Sequence, residues 1–193
     1  MTGNILFDLY GVLLRVQGDQ AKRDIEHAVG GDSSIWPVFW ELRGPLDGGR
    51  ITDQEFWEQF QERTGLDFDI EEAIRVDYSG WRQADPEMIA YVSSLIDEGW
   101  RVGLLSNIPK TLAELMLPEN PWLQKFHSVT LSCDIKQEKP RPEAFRIALE
   151  QLGTKPEETF FFDDNLENVE AARAVGLKAF QFTGVDSVKK AIS

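Results

Sequence analysis

A single cysteine, Cys133, rules out any disulfide within this chain of 193 residues. That fits a reducing setting, where folds rely on their cores and thiols stay free. Cys133 has no motif around it, and packing is its default role. Histidine is nearly as scarce: His27 and His127 stand alone, which favours surface or structural roles over catalysis. Basic residues are outnumbered, 20 Lys and Arg against 33 Asp and Glu, for a formal net charge of -13. Such a surface repels polyanions, so neither nucleic acid nor an anionic membrane is an expected partner. It still permits a phosphate ester in a locally cationic pocket. No apolar run approaches the roughly 20 residues of a membrane span. Residues 1–10 lack a basic flank and a signal-like core, so a cytoplasmic location is expected.

What the chain does have is apolar bulk. It is 42% hydrophobic, with 12 Phe and 6 Trp, ample for one packed domain or a core with a small insert. The first apolar run, Asn4-Ile5-Leu6-Phe7, is too short for a helix and suits a strand covered on both faces. Asp8 and then Gly11 follow it. Ligands of open α/β sheets sit beyond the carboxyl ends of strands, so Asp8 stands where chemistry would be done. Alone, it could equally be a turn or cap residue.

Residues 15–84 change character. Helices are expected over 20–29, 34–42 and 70–78, and Thr52-Asp53-Gln54-Glu55 reads as a capping box before a stripe of Phe56, Trp57 and Phe60. Trp36, Trp40, Trp57 and Trp81 fall in this segment. Most suit a small helical core, while one or two could line a pocket. From Asp85 strands alternate with helices: strands over 101–105, 127–131, 159–162 and 178–182, with Pro142 and Asn165 opening helices. The rhythm implies βαβ units and a parallel sheet.

Three strand ends carry polar residues: Asp8, Ser106-Asn107 and Asp163-Asp164, with Lys139 in a loop before a helix. Each could be a turn, a cap or a solvated side chain. Together, three carboxylates at one edge would repel and raise each other's pKa. A divalent cation resolves that conflict, and oxygen-only ligands favour Mg²⁺. Lys139 and Ser106 would then offer a cation and a hydroxyl to phosphate oxygens.

With these residues in place, the chain resembles the haloacid dehalogenase-like superfamily of hydrolases along essentially its whole length. Phe7-Asp8-Leu9-Tyr10-Gly11-Val12, Leu105-Ser106-Asn107, Lys139-Pro140 and Phe161-Phe162-Asp163-Asp164-Asn165 with Asn168 look like the four family motifs, in order. Arg-Pro-Glu-Ala-Phe after the lysine is most similar to the branch of glucose-1-phosphate phosphatase and the epoxide hydrolase N-terminal domain. The resemblance implies a Rossmann-like α/β core with a parallel five-stranded sheet (residues 1–15 and 85–193). It also implies a small helical cap inserted after the first strand (residues 16–84). It implies a Mg²⁺-dependent phosphatase acting on a small phosphomonoester, a sugar phosphate being one candidate, in which Asp8 is the nucleophile that forms an aspartyl-phosphate. Mg²⁺ would be held by Asp8, the Tyr10 carbonyl and Asp164, with Asp163 as ligand or neighbour. Ser106, Asn107 and Lys139 would hold the phosphate.

One position departs. Phosphatases of the family carry an Asp two residues after the nucleophile, to protonate the leaving alkoxide; here it is Tyr10. A phenol, with a reference pKa of about 10, is a poorer acid. The 2-haloacid dehalogenases of the superfamily also carry Asp-x-Tyr-Gly and use no metal. A phosphatase is the leading expectation, because Asp163-Asp164 would otherwise repel Asp8 and a carboxylate substrate alike. A dehalogenase and a degenerate, non-catalytic binding protein are the alternatives. Arg15 and Arg43, flanking the insert, could help bind a phosphate or sugar, although solvation is the leading expectation; Asn168 would position Asp164 or the metal's waters, or sit on a helix surface.

Overall fold

In a computed structural model, which describes residues 2–193, the first apolar run forms β1 (Asn4–Phe7). Side chains leave a strand on alternate faces. Ile5 and Phe7 accordingly join one apolar cluster and Leu6 another. Both faces of β1 are therefore buried, which is why its sequence shows no polar alternation.

Beyond Leu14 the chain leaves the sheet, and it returns at Ala84. The two connections run antiparallel: Arg15 N donates to the Gln83 carbonyl (2.7 Å) and Asp85 N to the Leu13 carbonyl (2.9 Å). Between them lie α1 (Asp19–Ala28), α2 (Trp36–Asp47), α3 (Asp53–Thr64) and α4 (Ile70–Ser79). These helices bury an apolar cluster of their own, built on Ile25, Phe39, Leu46, Phe56, Trp57 and Phe60. The capping box forms as expected: Glu55 N donates to Thr52 Oγ1 (3.2 Å) and Thr52 N to a Glu55 carboxylate oxygen (2.7 Å). α2 outruns the expected 34–42, continuing through Gly44 and Pro45 to Asp47. Pro45 cannot donate to the preceding turn. The burial of Leu42 and Leu46 on either side of it holds the helix together.

The rest is a three-layer core. β2 (Arg101–Ser106), β3 (Ser128–Leu131), β4 (Thr159–Asp163) and β5 (Lys178–Gln181) run parallel to β1 in the order β3-β2-β1-β4-β5. α5 (Pro86–Asp97), α6 (Lys110–Glu119) and α10 (Val185–Ile192) cover the Phe7 face. α8 (Pro142–Leu152) and α9 (Leu166–Val175) cover the Leu6 face. A short α7 (Ser132–Ile135) follows β3, in a stretch where no element was expected. The chain order reverses between β1 and β4, the place where open α/β sheets form a crevice. Among the described residues no helix is long and apolar enough to cross a membrane.

Phe60 packs edge-on against Trp57 and Phe68 at the centre of the helical cluster. Phe60→Ala is expected to destabilise the protein by about 3–5 kcal/mol, read as a lower urea midpoint.

Candidate active site

Register brings the first two carboxylates together. Phe7 pairs with Phe162, so the next residues, Asp8 and Asp163, emerge side by side, and Asp8 N donates to the Phe162 carbonyl (2.9 Å). Asp164 follows at once. A ligand oxygen of each of the three lies within 4.8 Å of the others. Gly11 makes room for this: its φ is +82°, and a Cβ there would lie 2.2 Å from Asp164 Oδ2. Any side chain at position 11 would displace that carboxylate.

Lys139 lies between two of them. Its Nζ donates to Asp8 Oδ1 (2.7 Å) and to Asp163 Oδ2 (2.6 Å), and only 3% of the residue is exposed. The Asn107 side chain clamps its backbone, donating to the Lys139 carbonyl and accepting from Lys139 N, both at 2.8 Å. Asp163 is saturated. Besides Lys139 it accepts from Asn165 N (2.9 Å) and, on both oxygens, from Asn168 Nδ2 (3.1 and 3.0 Å). Asn168 is therefore buried and holds Asp163; it is neither a surface residue nor a partner of Asp164. Among the described residues, none donates a side-chain hydrogen bond to Asp8 Oδ2 or to the Asp164 carboxylate.

Three carboxylates share one ammonium, so the cluster carries unmet negative charge. Burial pushes Asp8 up to about 7 against the pull of Lys139, and Asp163 adds to the rise. Asp164 is raised too, by burial and then by Asp163. Burial opposes the charge on Lys139, but Asp163 and Asp8 outweigh it and hold the lysine protonated. A group of converging oxygens with an excess of two negative charges suits one divalent cation.

A cavity of about 170 Å³ opens on this cluster, lined by Asp8, Tyr10, Asn107, Lys139 and Asp164 among others. Ser106 is buried at the end of β2, its hydroxyl only 3.4 Å from the Asn107 carbonyl, and it does not line the cavity. The Tyr10 hydroxyl is buried without a hydrogen-bond partner, its ring edge-on to Trp81 with centroids 5.0 Å apart. Burial drives its pKa well above the usual phenol value, so it stays protonated.

The insert supplies further residues, of which Asp47 was not singled out from the sequence and Arg43 was expected mainly to be solvated. Arg43 is only 6% exposed, not solvated: Nε donates to Asp47 Oδ1 and Nη1 to Asp77 Oδ2, both at 2.9 Å. Arg15, by contrast, is exposed as expected. Arg43 and Asp47, with Trp40 and Trp81, line the same cavity. The i,i+4 spacing of Arg43 and Asp47 was the available signal; it was hidden by ending α2 too early.

The haloacid dehalogenase-like hydrolase family pattern matches residues 3–176, and the chain belongs to that family. It is 25% identical to the D-ribitol-5-phosphate phosphatase of Bacteroides thetaiotaomicron, over 94% of this chain and 92% of that protein. A variant of HAD family enzyme bt-2542 from the same organism, solved with magnesium and inorganic phosphate, superposes with a TM-score of 0.77 at 25% identity, covering 94% of each chain. The L-2-haloacid dehalogenase RSc1362 shares the fold, with a TM-score of 0.72 at 18% identity over 95% of this chain and 87% of its own.

Lys139→Met would leave two buried carboxylates facing each other. In EDTA, an expected loss on the order of 3–5 kcal/mol at pH 8 is read by urea unfolding. At pH 5, below the raised pKa of Asp8, one carboxyl holds its proton and needs no counter-charge, so the loss is smaller.

Proposed function

We propose that this hydrolase is a Mg²⁺-dependent phosphatase of small phosphomonoesters, with sugar or polyol phosphates as the favoured class, and that Asp8 is its nucleophile. The observation that carries the reading is the cluster of Asp8, Asp163 and Asp164 around Lys139 at the sheet's switch point. The similarity to a ribitol-5-phosphate phosphatase, and to an enzyme solved with magnesium and phosphate, supports it. The dehalogenase reading rests on Tyr10, but a 2-haloacid carboxylate would meet this excess of negative charge with no cation to offset it.

Asp8 and Asp164, which have free oxygens, would hold the metal together with the Tyr10 carbonyl; Asp163, already saturated, acts mainly by holding Lys139. When bound, Mg²⁺ neutralises charge on the cluster and on a phosphate. Lys139 neutralises phosphate oxygens from the other side, and Asn107 fixes the height of the lysine backbone. Asp8 attacks phosphorus in line, the alkoxide departs, and water then hydrolyses the aspartyl-phosphate. Residues 16–84 serve as the cap, which excludes water and shapes the leaving-group side.

Phosphate release from p-nitrophenyl phosphate and sugar phosphates is expected with Mg²⁺, lost in EDTA and lost in Asp8→Asn. Release that ignores Mg²⁺, or survives Asp8→Asn, would sink the reading. Tyr10 keeps its proton and offers no base for water. Tyr10→Asp is therefore expected to raise turnover on a poor leaving group by about tenfold or more, and on p-nitrophenyl phosphate by less. An equal change on both would reject that role.

A further inference from the structure

The insert's side of the cavity is held rigid by a carboxylate that has no free oxygen. Asp77, fully buried, accepts from Gln17 Nε2 (2.8 Å) and Trp81 Nε1 (3.1 Å) on Oδ1 and from Arg43 Nη1 on Oδ2 (2.9 Å). Gln17 and Trp81 belong to the two connections flanking the helices, so this one residue ties both to α2 and α4. The Arg43 guanidinium also lies over the rings of Phe39 (5.4 Å) and Trp81 (5.6 Å). It cannot swing without breaking all of these contacts.

Two members of the network, Arg43 and Asp47, also line the cavity. Among the described residues, Arg43 Nη2 donates to no protein group and Asp47 Oδ2 accepts from none, while their neighbouring atoms are paired. Tyr10 is another lining residue, but its hydroxyl is buried and is not exposed to the cavity. Fixed donor and fixed acceptor side by side suit a hydroxyl, which accepts from one and donates to the other. Trp40, which is 48% exposed, and Trp81 add apolar lining to the same cavity. One guanidinium between two carboxylates leaves a negative surplus, which disfavours a second anion.

We propose that Arg43 and Asp47 form the polar part of the leaving-group subsite, that it takes a neutral polyhydroxylated chain, and that it rejects leaving groups bearing a carboxylate. The proposal rests on the phosphatase reading and extends it by naming what selects among phosphomonoesters.

The test compares kcat/KM of the Mg²⁺-loaded enzyme for ribitol 5-phosphate, 3-phosphoglycerate and p-nitrophenyl phosphate, in wild type and in Asp47→Asn. The substitution keeps an oxygen for Arg43 Nε but removes the charge and the second acceptor. Wild type is expected to favour the polyol phosphate over the glycerate. In Asp47→Asn the ratio of polyol phosphate to p-nitrophenyl phosphate is expected to fall about tenfold, the scale of one lost hydrogen bond. The ratio of 3-phosphoglycerate to p-nitrophenyl phosphate is expected to rise, a gain that damaged folding cannot produce. Unchanged ratios, or a wild-type preference for the glycerate, would overturn the proposal alone. No release by wild type from any of the three esters would overturn the phosphatase reading and this inference with it.

Discussion

One buried ammonium, Lys139 Nζ, holds the site together. It touches Asp8 and Asp163, which the β1–β4 register delivers to the same point. Burying a charge is costly unless it is paired, and here the pairing is overdone: a third carboxylate, Asp164, lies within reach. The excess is not a packing error. Asn168, Asn165 and Asn107 spend their hydrogen bonds on fixing Asp163 and Lys139, leaving Asp8 and Asp164 with oxygens to offer. A protein that only needed a stable core would have filled this crevice with apolar side chains. Unmet charge at a sheet's switch point is the signature of a site that expects a cation and an anion together.

The insert is coupled to that lysine through the chain next to it. Glu138, the residue before Lys139, takes a bidentate pair from Arg50 at 2.5 and 2.7 Å. Lys136 Nζ donates to the Gly49 carbonyl (2.7 Å) and Ser132 Oγ to the Asp47 carbonyl (2.5 Å). Thr111 on α6 and Tyr78 on α4 both donate to Asp53 at the start of α3. The far end of α2 is thus fastened to the core through α7 and the loop that carries Lys139. At the near end, Asp77 gathers the two connections. The insert's lining of the cavity and the loop that carries Lys139 are therefore joined by polar contacts, although the insert and the core have separate apolar clusters.

Much of this was legible in the sequence, for physical reasons. Apolar runs ending in Asp8, Ser106 and Asp163 announce strands of a parallel sheet, because only strands buried on both faces lose polar alternation. The Thr52 and Asp85 caps fix helix starts within a residue. The cluster itself could be inferred, since residues at the ends of adjacent strands must meet. What stayed hidden lies in the helical insert. Arg43 reads as a solvated residue until α2 is known to continue past Pro45 and Asp77 is known to face it from another helix. Asn168 was placed near Asp164, but one helical turn from Asn165 brings it onto Asp163 instead. Such contacts depend on how helices rotate against each other, and periodicity does not specify that.

The central claim is that the carboxylate cluster is built for a divalent cation, with Asp164 supplying a free ligand oxygen. Isothermal titration calorimetry of Mg²⁺ into the protein tests it without any substrate. One Mg²⁺ bound per chain by wild type, with affinity sharply reduced in Asp164→Asn, is the predicted result. No binding heat in wild type, or unaltered binding in the variant, would contradict the account.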